Sequence, residues 1–167
     1  MDDEEFQIEH GHGDYSAAEL LEQAQANAQA LVIATAAFLH NRGIPSEDWT
    51  TALGERFGRA WDAPRPWDAG EFLDAMLTNF RALGAEVLSA DLGVDQAEAT
   101  TSGFPNPELC LLFGVDLTLA ARFNDGPSAI AHPRGLRWSW RLDGAVTHYA
   151  VIRLDSEASG VRRQAIE

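Results

Sequence analysis

The hydrophobic pattern of this chain changes period once, near residue 85, and that change constrains the fold more than any motif does. Before it, apolar residues recur at three- and four-residue steps, the spacing of one face of an α-helix. After it come shorter alternating segments bounded by turn residues, the spacing of half-buried β-strands. Helices followed by strands predict an α+β domain. We expect three N-terminal helices, then hairpin, helix and hairpin, giving a small antiparallel sheet with helices packed on one face.

The helical half carries its own punctuation. Ser16 and Glu19 form a capping box, each side chain placed to bond the other residue's backbone N–H. Leu20, Leu21, Ala24, Ala28, Leu31, Thr35 and Leu39 then follow at three- and four-residue steps and predict a long first helix, which Asn41-Arg42-Gly43 ends. The intervening positions are rich in Ala, so a neighbouring backbone can come close, and a second apolar side on this helix would support a homodimer. Ser46 is placed to cap a second helix carrying Trp49, Leu53, Phe57 and Trp61, which Pro64-Arg65-Pro66 breaks. Asp68 and Glu71 repeat the capping box for a third, with Phe72, Leu73, Met76, Leu77 and Phe80 on one side and Gly84 at its end.

Residues 86–92 and 96–104 read as a hairpin around Gly93-Val94-Asp95. Asn106-Pro107-Glu108 supplies a cap, a proline and an acid at a helix start, and that helix is expected to run to about residue 123. Asn124-Asp125-Gly126-Pro127 reads as a turn. The last unit is a second hairpin, residues 136–142 and 145–154, joined by Asp143-Gly144. That loop sets Trp138 opposite Tyr149 and Trp140 opposite Thr147 on one face. Arg137, Ser139 and Arg141 take the other face, opposite Ala150, His148 and Val146.

Charge narrows the function. The 167 residues include 26 acids against 12 basic side chains, all of them Arg, for a net charge of -14. A pI near 4.6 argues against nucleic acid and against anionic membrane as partners. Residues 1–119 hold 21 acids and 5 arginines, a balance of -16, whereas residues 120–167 hold 5 acids and 7 arginines, a balance of +2. One Cys excludes an intrachain disulfide framework. The chain opens on acids, unlike a signal peptide, and its longest apolar stretch, residues 30–39, is too short to span a bilayer. A cytoplasmic protein is expected, with an acidic flexible tail (1–15), one globular domain (16–155) and a polar C-terminal tail (156–167).

Several groups of residues can carry chemistry. His10, His12 and Asp14 have the donors of a metal clip, but a Gly-rich tail supplies no fixed further ligand, so no metal site is assigned. Cys110, near a helix start, can serve as a nucleophile with His132 or His148 as base, or can simply be a small core residue among leucines. Trp138, Trp140 and Tyr149 can line an apolar ligand pocket or form the core beneath the helices. Arg137 and Arg141, with Ser139 and His148, can hold a carboxylate or phosphate, or can be a solvated sheet face. The glycine-rich phosphate loops, the Gly-x-Ser-x-Gly elbow and His-Glu-x-x-His are absent, and no spacing identifies a cofactor.

The run Glu108-Leu-Cys110-Leu-Leu-Phe-Gly114, followed by residues 129–142 ending Leu136-Arg-Trp-Ser-Trp-Arg-Leu142, resembles the C-terminal half of 4-vinyl-reductase-like domains. The resemblance spans residues 104–154. It implies an α+β module that binds small molecules or hydrocarbons between helices and sheet. Such domains usually carry a second Cys in the strand after the turn, where this chain reads Leu136-Arg-Trp-Ser-Trp, so thiol-pair or metal chemistry does not carry over. The leading expectation is non-catalytic binding of a small, largely apolar ligand at Trp138, Trp140 and Tyr149. The alternatives are a hydrolase or isomerase using Cys110, and an acidic protein-interaction or assembly subunit.

Overall fold

A computed structural model describes residues 15–61 and 66–154. The helices are α1 (Ala17–Asn41), α2 (Ser46–Ala60), α3 (Ala69–Ala82), α4 (Pro107–Phe113), α5 (Leu117–Ala121) and α6 (Gly126–Ala131). The strands are β1 (Glu86–Leu92), β2 (Gln96–Ser102), β3 (Leu136–Asp143) and β4 (Val146–Arg153). They form one antiparallel sheet in the order β1-β2-β4-β3. The fold is α+β, as its change of period predicts.

The core lies where α3 crosses the sheet. Phe72, Leu73, Met76, Leu77 and Phe80 are all buried, against Ala97 and Ala99 of β2, Trp138 of β3, and Tyr149 and Val151 of β4. Full burial of each such side chain is worth about 1.5–3 kcal/mol. The alanines of β2 leave room for α3 to approach. At its start α3 is docked on the β1–β2 turn, with the Ala69 N–H donating to Val94 O at 2.9 Å. A Cβ on Gly70 would collide with the Leu92 carbonyl. Both capping boxes, Ser16/Glu19 and Asp68/Glu71, are formed as expected.

The long first helix is turned the opposite way from its apolar stripe. Its buried residues are Gln29, Ile33 and Ala36, whereas Leu20, Leu21, Ala24 and Leu31 are exposed, Leu31 at 70%. The docked face joins small apolar contacts, Ile33 against Cys110, Val115 and Ala120, to side-chain amides. Gln25 Nε2 donates to Arg81 O at 2.8 Å, and Gln29 Nε2 donates to Gly103 O at 2.7 Å. Gln29 Oε1 also accepts from the Asn106 N–H at 3.0 Å. The docked face therefore mixes amides with Ile33 and Ala36, while the outward face carries the larger leucines.

Four further expectations are corrected. The single helix from 106 to 123 is two, α4 and α5, because Gly114 turns left-handed at φ +64 and Asp116 caps a new start. Residues 124–127 are not an open turn. Arg122–Asp125 is a 3-10 turn running straight into α6, with Gly126 at a helical φ of -54 and Pro127 in the first turn. Ser46 is the first helical residue of α2, not its cap; Pro45 holds the cap position without a side-chain bond. In the second hairpin, Asp143 pairs with Val146, so the loop is Gly144-Ala145 with φ +58 at Gly144, the preferred place for Gly in a type II′ turn. Trp138 thus faces Val151 and Trp140 faces Tyr149, while Arg137 faces Ile152, Ser139 faces Ala150 and Arg141 faces His148. The shift is two residues, so every side chain keeps its expected face.

Candidate functional site

Three surroundings hold the residues singled out from sequence. On the inner sheet face, Trp138 and Tyr149 are packed shut. The Phe80 ring stacks on Tyr149 with centroids 4.9 Å apart, and Trp138 lies 5.1 Å from Tyr149. Their polar tips are tied to the 3-10 turn before α6: Trp138 Nε1 donates to Asn124 O at 2.7 Å and Tyr149 OH to Asn124 Oδ1 at 3.3 Å. Trp140 is half-buried and its Nε1 donates to Asp125 Oδ1 at 2.8 Å. Burial pushes the Tyr149 phenol up to about 12, with Thr101 and Thr147 pulling the other way.

On the outer sheet face, which carries no helix among the described residues, Arg141, His148 and Thr100 stand in one cross-strand row, with Ser139, Ala150 and Glu98 in the next. They line a shallow hollow of about 440 Å³ together with Asp91. Its charge is mixed, since Asp91 and Glu98 face the same space as Arg141. The Arg141 guanidinium also reaches the Asp143 carboxylate at 3.7 Å, both groups being exposed. Arg137 is exposed one row further on, opposite Ile152.

Cys110 is buried in a small cluster with Ile33, Val115 and Ala120 under α1. Burial pushes its thiol up, and Asp116 adds to the rise, so the nucleophilic thiolate is disfavoured. His132 is exposed just after α6, and His148 belongs to the outer sheet face. The three thus stand in different surroundings. His10, His12 and Asp14 lie outside the described residues.

Among the described residues, an apolar space lies one layer further from the sheet. A cleft of about 270 Å³ opens between α2, α3 and α6, walled by Leu53, Phe57, Trp61, Met76, Phe80 and Ile130. Phe80 is shared, stacking on Tyr149 while also lining the cleft. At one side α2 and α6 meet closely, since a Cβ on Gly54 would collide with the Gly126 carbonyl oxygen. Elsewhere Arg134 bolts the two helices together, donating to Ile130 O at 2.7 Å and to Gly58 O at 3.1 Å, with its guanidinium 5.9 Å from the Trp61 ring centre. Phe57 stands at the mouth, 52% exposed. Asn79 is a polar side chain on the lining, and its amide donates to its own helix, at Ala75 O.

Of the cleft residues, Leu53, Phe57 and Trp61 carried a readable signal, four-residue spacing on α2. Gly126, Pro127 and Ile130 did not, because α6 was read as a turn, and without α6 the second wall is missing. By fold this is an α+β domain with an apolar cleft between helices. No family model, no curated protein and no solved structure matches the chain.

Proposed function

We propose that the protein binds a small, largely apolar ligand without catalysis, in the cleft between α2, α3 and α6. The observation that carries this reading is the cleft itself. It is concave and apolar, its α2 and α6 walls fixed to each other by the Gly54–Gly126 contact and the Arg134 bolt, with aromatic rings for a flat or hydrocarbon-like ligand to stack on. The reading moves the ligand from the Trp138 and Tyr149 face, which Phe80 fills, to the other side of Phe80. The resemblance of residues 104–154 to 4-vinyl-reductase-like domains implies a ligand between helices and sheet, a place that Phe80 fills here. We also propose that the chain works as a homodimer, because α1 turns an apolar face outward.

The test is titration with N-phenyl-1-naphthylamine, a neutral apolar fluorophore. The expected result is saturable binding at one site per chain with a matching change in tryptophan emission. Leu53→Glu places a charge in the cleft and is expected to weaken binding roughly tenfold or more. Leu31→Glu, on the outward face of α1, is expected to leave it unchanged. Equal binding by wild type and Leu53→Glu contradicts the reading.

A further inference from the structure

The sequence holds two Asp-Gly pairs, Asp125-Gly126 and Asp143-Gly144, and no Asn-Gly pair. Asp-Gly is the least shielded of aspartyl pairs, because the following residue has no Cβ to crowd its N–H. That nitrogen can close on the aspartyl side chain if it is free of other bonds and the backbone can turn to bring it to Cγ. The fold treats the two pairs in opposite ways. At the first, the Gly126 N–H donates to Phe123 O and the residue sits on helical backbone, φ -54. The Asp125 carboxylate is held as well: Oδ1 accepts from Trp140 Nε1 at 2.8 Å, and Oδ2 lies 3.0 Å from Arg122 Nε. At the second, the bonds that close the hairpin belong to Asp143 and Val146, so the Gly144 N–H is left to solvent. Gly144 has φ +58, and a Cβ built on it would meet nothing within 4 Å. The Asp143 side chain is 73% exposed, against 26% for Asp125. Its ion pair with Arg141, at 3.7 Å between exposed groups, restrains it weakly.

We infer that Asp143 is a modification site, at which isoaspartate forms spontaneously in the folded protein, and that the fold protects Asp125 from the same reaction. The Gly144 amide nitrogen attacks Cγ of the Asp143 carboxylic acid. A C–N bond forms, and the carboxyl OH leaves with the amide hydrogen as water, giving a succinimide. Water then opens the ring at the main-chain carbonyl and breaks its bond to nitrogen. The chain now runs through Cβ and Cγ, and the former main-chain carbonyl is a free α-carboxylate. Nothing is oxidised or reduced, and the mass is unchanged. Between Leu142 and Gly144 the chain gains one methylene, so the Asp143–Val146 pair loses its register and the hairpin tip opens. Trp138 and Tyr149 lie further along the strands and keep their places in the core. The new α-carboxylate stands at an exposed tip, open to a carboxyl methyltransferase specific for isoaspartate.

The test is timed incubation of the full chain at neutral pH, folded and in urea, followed by peptide mapping. Trypsin places the two pairs on separate peptides, residues 123–134 and 142–153. Isoaspartate is read as a peptide of equal mass with shifted reversed-phase retention, and confirmed by labelling with isoaspartate methyltransferase and tritiated S-adenosylmethionine. In the folded chain, the isoaspartate form of 142–153 is expected to accumulate roughly tenfold or more faster than that of 123–134, since the Gly126 nitrogen must first give up a hydrogen bond and a helical turn. In urea the two rates should converge, because the difference belongs to the fold. Asp143→Glu keeps the charge but needs a larger ring, and should abolish the label on 142–153. A 142–153 peptide that stays unmodified in the folded chain, equal rates at the two sites in the folded chain, or a label that survives Asp143→Glu overturns the inference.

Discussion

Phe80 divides the filled core from the open cleft. It stacks on Tyr149 and also lines the cavity, so truncating it removes a core contact and the cleft floor at once. Phe80→Ala is expected to cost about 3–5 kcal/mol in urea unfolding. Tyr149 behind it predicts an alkaline limit. Its folded pKa is raised from 10.0 to about 12, so the folded state holds the proton more tightly than the unfolded chain. The stability this contributes is complete below pH 10 and is lost as pH climbs towards 12. Unfolding free energy measured against pH, with phenolate absorbance at 295 nm followed alongside, should fall across that window. Cys110 differs from a catalytic thiol in both burial and pKa direction. A disulfide reagent should label it far more slowly in the folded protein than in urea, and rapid labelling of the folded protein contradicts its core placement.

Elements whose signals are local were legible. Ser16/Glu19 and Asp68/Glu71 lie three residues apart, and the capping bonds need nothing from the rest of the fold. Helix α3 was legible because one face meets the sheet and the other does not. The orientation of α1 was not, because its docked face is small and mixed: Ile33 and Ala36 share it with Gln25 and Gln29, whose hydrogen bonds to Arg81 O, Gly103 O and Asn106 N periodicity does not count. Gln29→Ala removes two of those bonds and leaves backbone groups of the β2–α4 connection unpaired, with an expected cost of about 1–3 kcal/mol in thermal or chemical unfolding. Helix α6 was hidden by Asn-Asp-Gly-Pro, a turn signal that here sits on helical backbone because the Trp138 and Tyr149 polar tips hold Asn124 in place. The candidate site is therefore half legible: helical spacing marks Leu53, Phe57, Trp61, Met76 and Phe80, whereas the α6 wall is hidden and Trp138, Trp140 and Tyr149 lie outside the cleft.

At the scale of the whole molecule, the sheet offers one face to the helices and, among the described residues, leaves the other open, and the helical layer holds the apolar cleft. Among the described residues, no helix is long and apolar enough to cross a membrane. An apolar ligand that binds only the folded form must stabilise it; at a hundredfold excess over Kd the gain is about 2.7 kcal/mol, readable as a rise in Tm. The outward face of α1 and the cleft involve different residues, so binding and dimerisation should respond separately to Leu53→Glu and Leu31→Glu.

The most direct measurement follows the indole N–H signals of the five tryptophans by NMR while N-phenyl-1-naphthylamine is added. Binding in the cleft predicts that the Trp61 indole shifts most, while Trp138 and Trp140, bonded to Asn124 and Asp125, hold their positions. A large shift at Trp138 with Trp61 unmoved would contradict the account and return the ligand to the sheet face.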